Sequence, residues 1–207
     1  VEDMWIAMMG CVSDHYLPDF VNEFKKSHAD IWGNVHVPFD AYYNTEIGAL
    51  ARSISFGLKD STSHVVYLQN FMIECTSPSL MRAELESTSS FARKFKEISV
   101  KYKELLGQAR RHAGKKILFF QYSGTLSISS DLANELSYLY PELRVAVAYV
   151  HGALANVSLR GKGARTLAEK IIPSLEGARG GGHEEAVGLR VRSEDLEKFK
   201  KLLDESL

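Results

Sequence analysis

The hydrophobic pattern divides the chain into a helical front, a long amphipathic stretch and an alternating strand–helix tail. Met4, Trp5, Met8, Met9 and Val12 fall on one wide apolar face, which predicts a helix over 2–13 with Glu2 and Asp3 at its acid-favouring start. Residues 14–45, with Pro18, Gly33, Pro38 and scattered aromatics, read as irregular, and 46–58 as helical again. Ser77-Pro78-Ser79 breaks the pattern and caps the next helical segment. Phe91, Phe95, Ile98, Tyr102, Leu105 and Ala109 then step by three or four residues, one stripe along a long helix. A narrow stripe of this kind suits a connector between lobes, so a boundary is placed near 76–80. The expected organisation is 1–76, a connecting helix over 77–112, and a domain over 113–207.

After Gly114 the texture changes. Apolar runs at 116–122 and 145–150 read as strands, and 153–160 as a third, joined to the second by a tight His151-Gly152 turn. A further strand is expected at 187–192. Helical periodicity fills 128–139, 163–175 and 193–206, the last opened by an N-cap at Ser193. The order β-α-β-β-α-β-α predicts a mixed sheet covered by helices, an α/β class domain.

The 207 residues are 45% apolar and 25% charged, an ordinary globular composition that excludes a disordered or fibrous chain. No apolar run reaches the roughly 18 residues of a membrane helix, so no membrane association is expected. Two cysteines, Cys11 and Cys75, make no disulfide framework, and a reducing, cytoplasmic setting is the simplest reading. The start lacks both an initiator Met and a basic signal-peptide region, which reads as a fragment or a processed product. The net charge of -1 hides a balance of -6 over 1–76, +4 over 77–112 and +1 over 113–207. The basic middle fits either a phosphate-bearing ligand or a solvated helix.

Two groups of residues carry chemical information. Gly180-Gly181-Gly182, between a predicted helix and a predicted strand, reads either as a flexible turn or as a nest of backbone N–H groups for a phosphate oxygen, with His183 able to meet a reacting centre. On the strand over 153–160, Asn156, Ser158 and Arg160 alternate onto one face. Arginine offers a planar fork matched to phosphate, with serine and asparagine as further donors. Lys162 and Arg165 follow and strengthen an anion-binding reading. His28, His36, His64, His112 and His151 show no metal-ligand spacing.

Together these residues resemble the DHHA1 domain of the DHH phosphoesterase superfamily, over most of 113–207. The resemblance rests on Tyr122-Ser123-Gly124 with Ser129-Ser130-Asp131-Leu132-Ala133, on Val157-Ser158-Leu159-Arg160-Gly161, and on Gly180-Gly181-Gly182-His183 with Ala186 and Gly188. It implies that Asn156, Ser158, Arg160, the three glycines and His183 hold a single-stranded nucleic acid or short oligonucleotide, with His183 near the scissile phosphate as the catalytic candidate. Alanyl-tRNA synthetase-type relatives typically lack that histidine, so His183 points to the phosphoesterase branch. The catalytic DHH domain of such RecJ-like exonucleases and nanoRNases binds manganese, or magnesium, through Asp and His. Here no Asp-x-Asp and no Asp-His-His motif occurs. The helix before Asp14-His15-Tyr16 is similar to the one leading to the last metal-binding aspartate, so that role passes to Asp14 alone.

The implied architecture is a remnant helical part of a DHH domain, a long connecting helix and a DHHA1-type mixed-sheet domain. The implied function is the substrate-binding portion of a metal-dependent hydrolase of phosphodiesters, poor or inactive alone and needing metal ligands from another chain or segment. The alternatives are a non-catalytic nucleic-acid-binding or scaffolding module, one that partners a replication protein or supports a split enzyme, and, more weakly, hydrolysis of a small phosphorylated molecule such as a cyclic dinucleotide or polyphosphate.

Overall fold

The computed structural model describes residues 3–206. The chain folds as two compact units, Val1–Val100 and Lys101–Leu207. Among the described residues no helix is long and apolar enough to cross a membrane.

The first unit is helical. The helix α1 (Met4–Ser13) buries Trp5, Met8, Met9 and Val12, the face its sequence marks; Glu2 lies outside the described residues. The stretch read as irregular folds into α2 (Val21–Ser27), α3 (Ala29–Trp32) and α4 (Pro38–Asn44). Gly33, at φ 69°, ends α3 in the left-handed region that glycine tolerates, and Pro38 opens α4 at a position where its missing N–H costs nothing. α5 (Glu46–Gly57) is capped by the Thr45 hydroxyl, which accepts from Gly48 N–H at 3.1 Å. α6 (Thr62–Glu74) comes next. Trp5, Phe24, Trp32, Ile47 and Leu68 meet in one core, each almost wholly removed from water.

The single helix expected over 77–112 is two helices, α7 (Pro78–Glu86) and α8 (Ser90–Arg110). Serine chemistry breaks it. The Ser87 hydroxyl accepts from Ser89 N–H at 3.1 Å, and the Ser89 hydroxyl accepts from Ala92 N–H at 3.0 Å, the geometry of a fresh N-cap. The apolar stripe is nevertheless real: Phe91, Ile98, Tyr102, Leu105 and Ala109 are all buried.

The second unit is a five-stranded mixed sheet in the order β1-β2-β3-β5-β4. β1 (Ile117–Ser123) runs parallel to β2 (Arg144–His151), the two joined through α9 (Ser129–Leu139). β3 (Leu154–Arg160) returns antiparallel from the Gly152 turn, whose φ is 60°. After α10 (Ala164–Ile171) come β4 (Arg179–His183), β5 (Ala186–Arg192) and α11 (Leu196–Glu205). Ala155, Val157 and Leu159 of β3 bury one sheet face against Leu167, Ala168 and Ile171 of α10 and Phe199 and Leu203 of α11. The opposite face carries α9, which packs on β2 and β3.

Two local expectations are corrected. The three glycines are not a loop but the edge strand β4, which adds a strand to the expected order. Ser193 is not an N-cap: its hydroxyl donates to Gly152 O at 2.7 Å, and its N–H to Ala153 O at 2.9 Å, tying a 3-10 turn to the β2–β3 hairpin.

Candidate nucleic-acid interface

The alternation on β3 holds. Asn156, Ser158 and Arg160 share the face of the sheet that carries α9, and their bonds fix that assignment. Ser158 is buried and its hydroxyl shares a hydrogen bond of 3.1 Å with Ser129 Oγ on α9. Arg160 Nε donates to Asn134 Oδ1 of α9 at 2.6 Å, while its Nη1 donates to Leu159 O at 2.9 Å and Val187 O at 3.3 Å. The guanidinium is thus half-buried and its plane is set by the fold.

The strand register extends this face outward. Directly opposed residues of an antiparallel pair project to the same side. Arg160 faces Ala186, and Ala186 faces His183. Ser158 faces Gly188, which faces Gly181. Asn156 faces Arg190, which faces Arg179. Three parallel rows therefore cross β3, β5 and β4, and Arg160 and His183 lie in one row about 10 Å apart, two strand spacings of ~4.8 Å. Every residue of β4 is exposed, as are Gly188 and Arg190.

The middle row is bare backbone. A Cβ at Gly181 or at Gly188 would meet nothing within 4 Å, so the interior does not require glycine there. Gly180 and Gly182 differ: a Cβ would lie 2.4 Å from Gly188 O or 2.2 Å from Ala186 O. Gly180 and Gly182 let strands approach, while Gly181 and Gly188 leave an open floor flanked by Arg160 and His183 on one side and Arg179 and Arg190 on the other.

Arg190 and Arg179 carry no sequence signal that marks them out. Arg190 Nε donates to Asn156 Oδ1 at 3.3 Å, so Asn156 orients a neighbouring arginine. Arg165, expected to join the anion site, is engaged with Glu169 at 2.9 Å on α10, on the opposite face. Tyr122 is a core residue. Its hydroxyl accepts from Ile128 N–H at 2.7 Å, and burial pushes its pKa well up. Tyr149 Oη donates to Gly124 O at 2.8 Å.

In the first unit Asp14 is exposed, just past the end of α1. His15 follows at φ 53°, stacked on Phe39 with ring centroids 4.1 Å apart and edge-on to Tyr42. Burial lowers its pKa, against the pull of Asp14. Among the described residues no group of three or more His, Cys, Asp and Glu side chains could hold a metal ion. The surroundings of Asp14 do not by themselves fit a divalent metal, because one carboxylate beside a ring packed into an aromatic wall is not a ligand set.

No family model matches the sequence, and no curated protein matches it. Solved structures do. RecJ from Thermus thermophilus, in complex with Mn²⁺, superposes with a TM-score of 0.53 at 12% identity, over 96% of this chain and 28% of that one. The DHH domain of a member of the S1p family of ribosomal proteins gives 0.55 at 13%, over 98% and 49%. The fold is that of the DHH/DHHA1 proteins. A manganese-bound exonuclease RecJ gives 0.52 at 14%, over 90% and 44%. The chain thus spans between about a quarter and a half of the length of these DHH/DHHA1 structures.

Proposed function

We propose that the exposed sheet face of the second unit holds the backbone of a single-stranded nucleic acid or short oligonucleotide, and that this chain is the substrate-holding portion of a DHH-type phosphodiesterase. The observation that carries the reading is the glycine floor at Gly181 and Gly188. It is exposed, required by no interior contact, and bordered by Arg160, Ser158 and His183. Bare strand backbone lets a phosphate approach closely, and a guanidinium held in place supplies charge-assisted donors without first having to be ordered. His183, exposed at the end of β4, stands where it can donate to the same phosphate and serves as the catalytic candidate. The likeness of fold to RecJ exonucleases supports the reading. Were the hydrolysis metal-dependent, the exposed Asp14 would offer one carboxylate to the ion, and the other ligands would have to be supplied by another chain or segment.

Anisotropy of a labelled oligonucleotide tests the binding claim. Gly181→Val, whose Cβ would meet nothing within 4 Å, is expected to weaken binding at least tenfold with unchanged thermal unfolding. Arg160→Ala is expected to cost ~1–3 kcal/mol of affinity. Unchanged affinity in both variants overturns the site. A non-catalytic binding module would share this surface, and hydrolysis assays after addition of a chain carrying the missing DHH motifs separate it from an enzyme.

A further inference from the structure

We infer that Arg179 and Arg190 form a second phosphate subsite on the same sheet face, which makes the ligand a strand of several nucleotides rather than a mono- or dinucleotide. This subsite builds on the binding site proposed above and adds a length requirement to it. Arg179 and Arg190 are direct cross-strand partners on adjacent strands, both exposed. Like charges placed directly opposite destabilise a sheet. Among the described residues no carboxylate relieves this pair: Arg179 has no side-chain partner, and Arg190 has only the Asn156 amide oxygen. The contrast with Arg192, two residues on, is direct. Its guanidinium pairs with Glu176 at 2.9 Å and Glu194 at 3.6 Å. The protein therefore neutralises one arginine of β5 internally and leaves the other facing a second uncompensated cation. Asn156 Oδ1 accepts from Nε of Arg190 and leaves its two Nη groups for a ligand. A phosphate supplies the missing negative charge.

The spacing sets the ligand. From His183 to Arg179 is four residues along β4, about 13 Å at the ~3.3 Å rise of a strand. The glycine floor fills the interval. At the ~3.4 Å per nucleotide of a stacked strand that distance covers about four nucleotides, and fewer if the strand is extended. A stacked dinucleotide against His183 stops short of the arginine pair, whereas an octanucleotide spans both.

The test compares a labelled octanucleotide with a dinucleotide, by anisotropy and calorimetry, on the full chain. The Arg179→Ala/Arg190→Ala double variant is expected to lose at least tenfold in affinity for the octanucleotide. Its dinucleotide affinity should stay within twofold of wild type. Its Tm should not fall, because a repulsive pair has been removed. Equal loss for both ligands, or no loss for either, overturns the second subsite. His183→Ala distinguishes the two claims. If it weakens both ligands while the double variant changes neither, the length requirement fails and the binding site stands. If the wild type binds neither ligand, the binding site itself fails, and the second subsite with it.

Discussion

Gly180 and Gly181 are neighbours that lack a side chain for opposite reasons. The first faces the backbone of β5, where a methyl group would sit 2.4 Å from Gly188 O; the second faces open space. Gly180→Ala is therefore expected to destabilise by ~1–3 kcal/mol, since strand backbone must shift to admit it. Gly181→Ala is expected to be neutral in thermal unfolding. A reversed order of the two melting temperatures would contradict the assignment of faces. Tyr122→Phe strips the acceptor from the buried Ile128 N–H and should cost ~1–3 kcal/mol in denaturant unfolding. The Asn156/Ser158/Arg160 face was legible at this scale because strand alternation is local. Arg179 and Arg190 were not, because their meaning depends on a pairing partner on another strand.

Among the elements, the break between α7 and α8 turns on one hydroxyl. Ser89→Ala removes the bond to Ala92 N–H and is expected to cost ~1 kcal/mol, read by chemical denaturation. The start of α6 carries an acid-sensitive contact. Burial alone would raise the Asp60 carboxyl, but the Ser61 N–H and His64, each at 2.7 Å, hold it below its ordinary 3.8. A carboxyl lowered by folding stabilises above its unfolded pKa and loses that contribution as pH falls through the folded value. Stability should therefore decline below about pH 4, and Asp60→Asn should flatten that limb; an identical acid limb in the variant would exclude the contact. The β4 edge strand was missed because three glycines carry no strand propensity and only tertiary pairing with β5 makes them extended. The helices α2, α3 and α4 were missed because each is too short to show a period.

For the molecule as a whole, the tail pattern yielded the correct class of mixed sheet, one strand short, because buried strands announce themselves as apolar runs and their order limits the topology. The front was harder, since its core is assembled from short helices whose packing no window of sequence displays. What the whole adds to the parts is a face: β3, β5 and β4 bring residues from 156 to 190 into three rows, and α9 packs on β2 and β3 while β4, Gly188 and Arg190 stay exposed. A polyanion held there should bind with affinity that falls steeply as salt rises, with a smaller slope once Arg179 and Arg190 are removed.

The most direct measurement is an amide NMR titration of the isotopically labelled chain with a short single-stranded oligonucleotide. The largest shifts are expected at Gly181, Gly188, His183 and Arg190, with α10 and α11 on the opposite face unmoved. Saturable shifts confined to α10 and α11, or none on β4 and β5 at saturating ligand, would contradict the placement of the site.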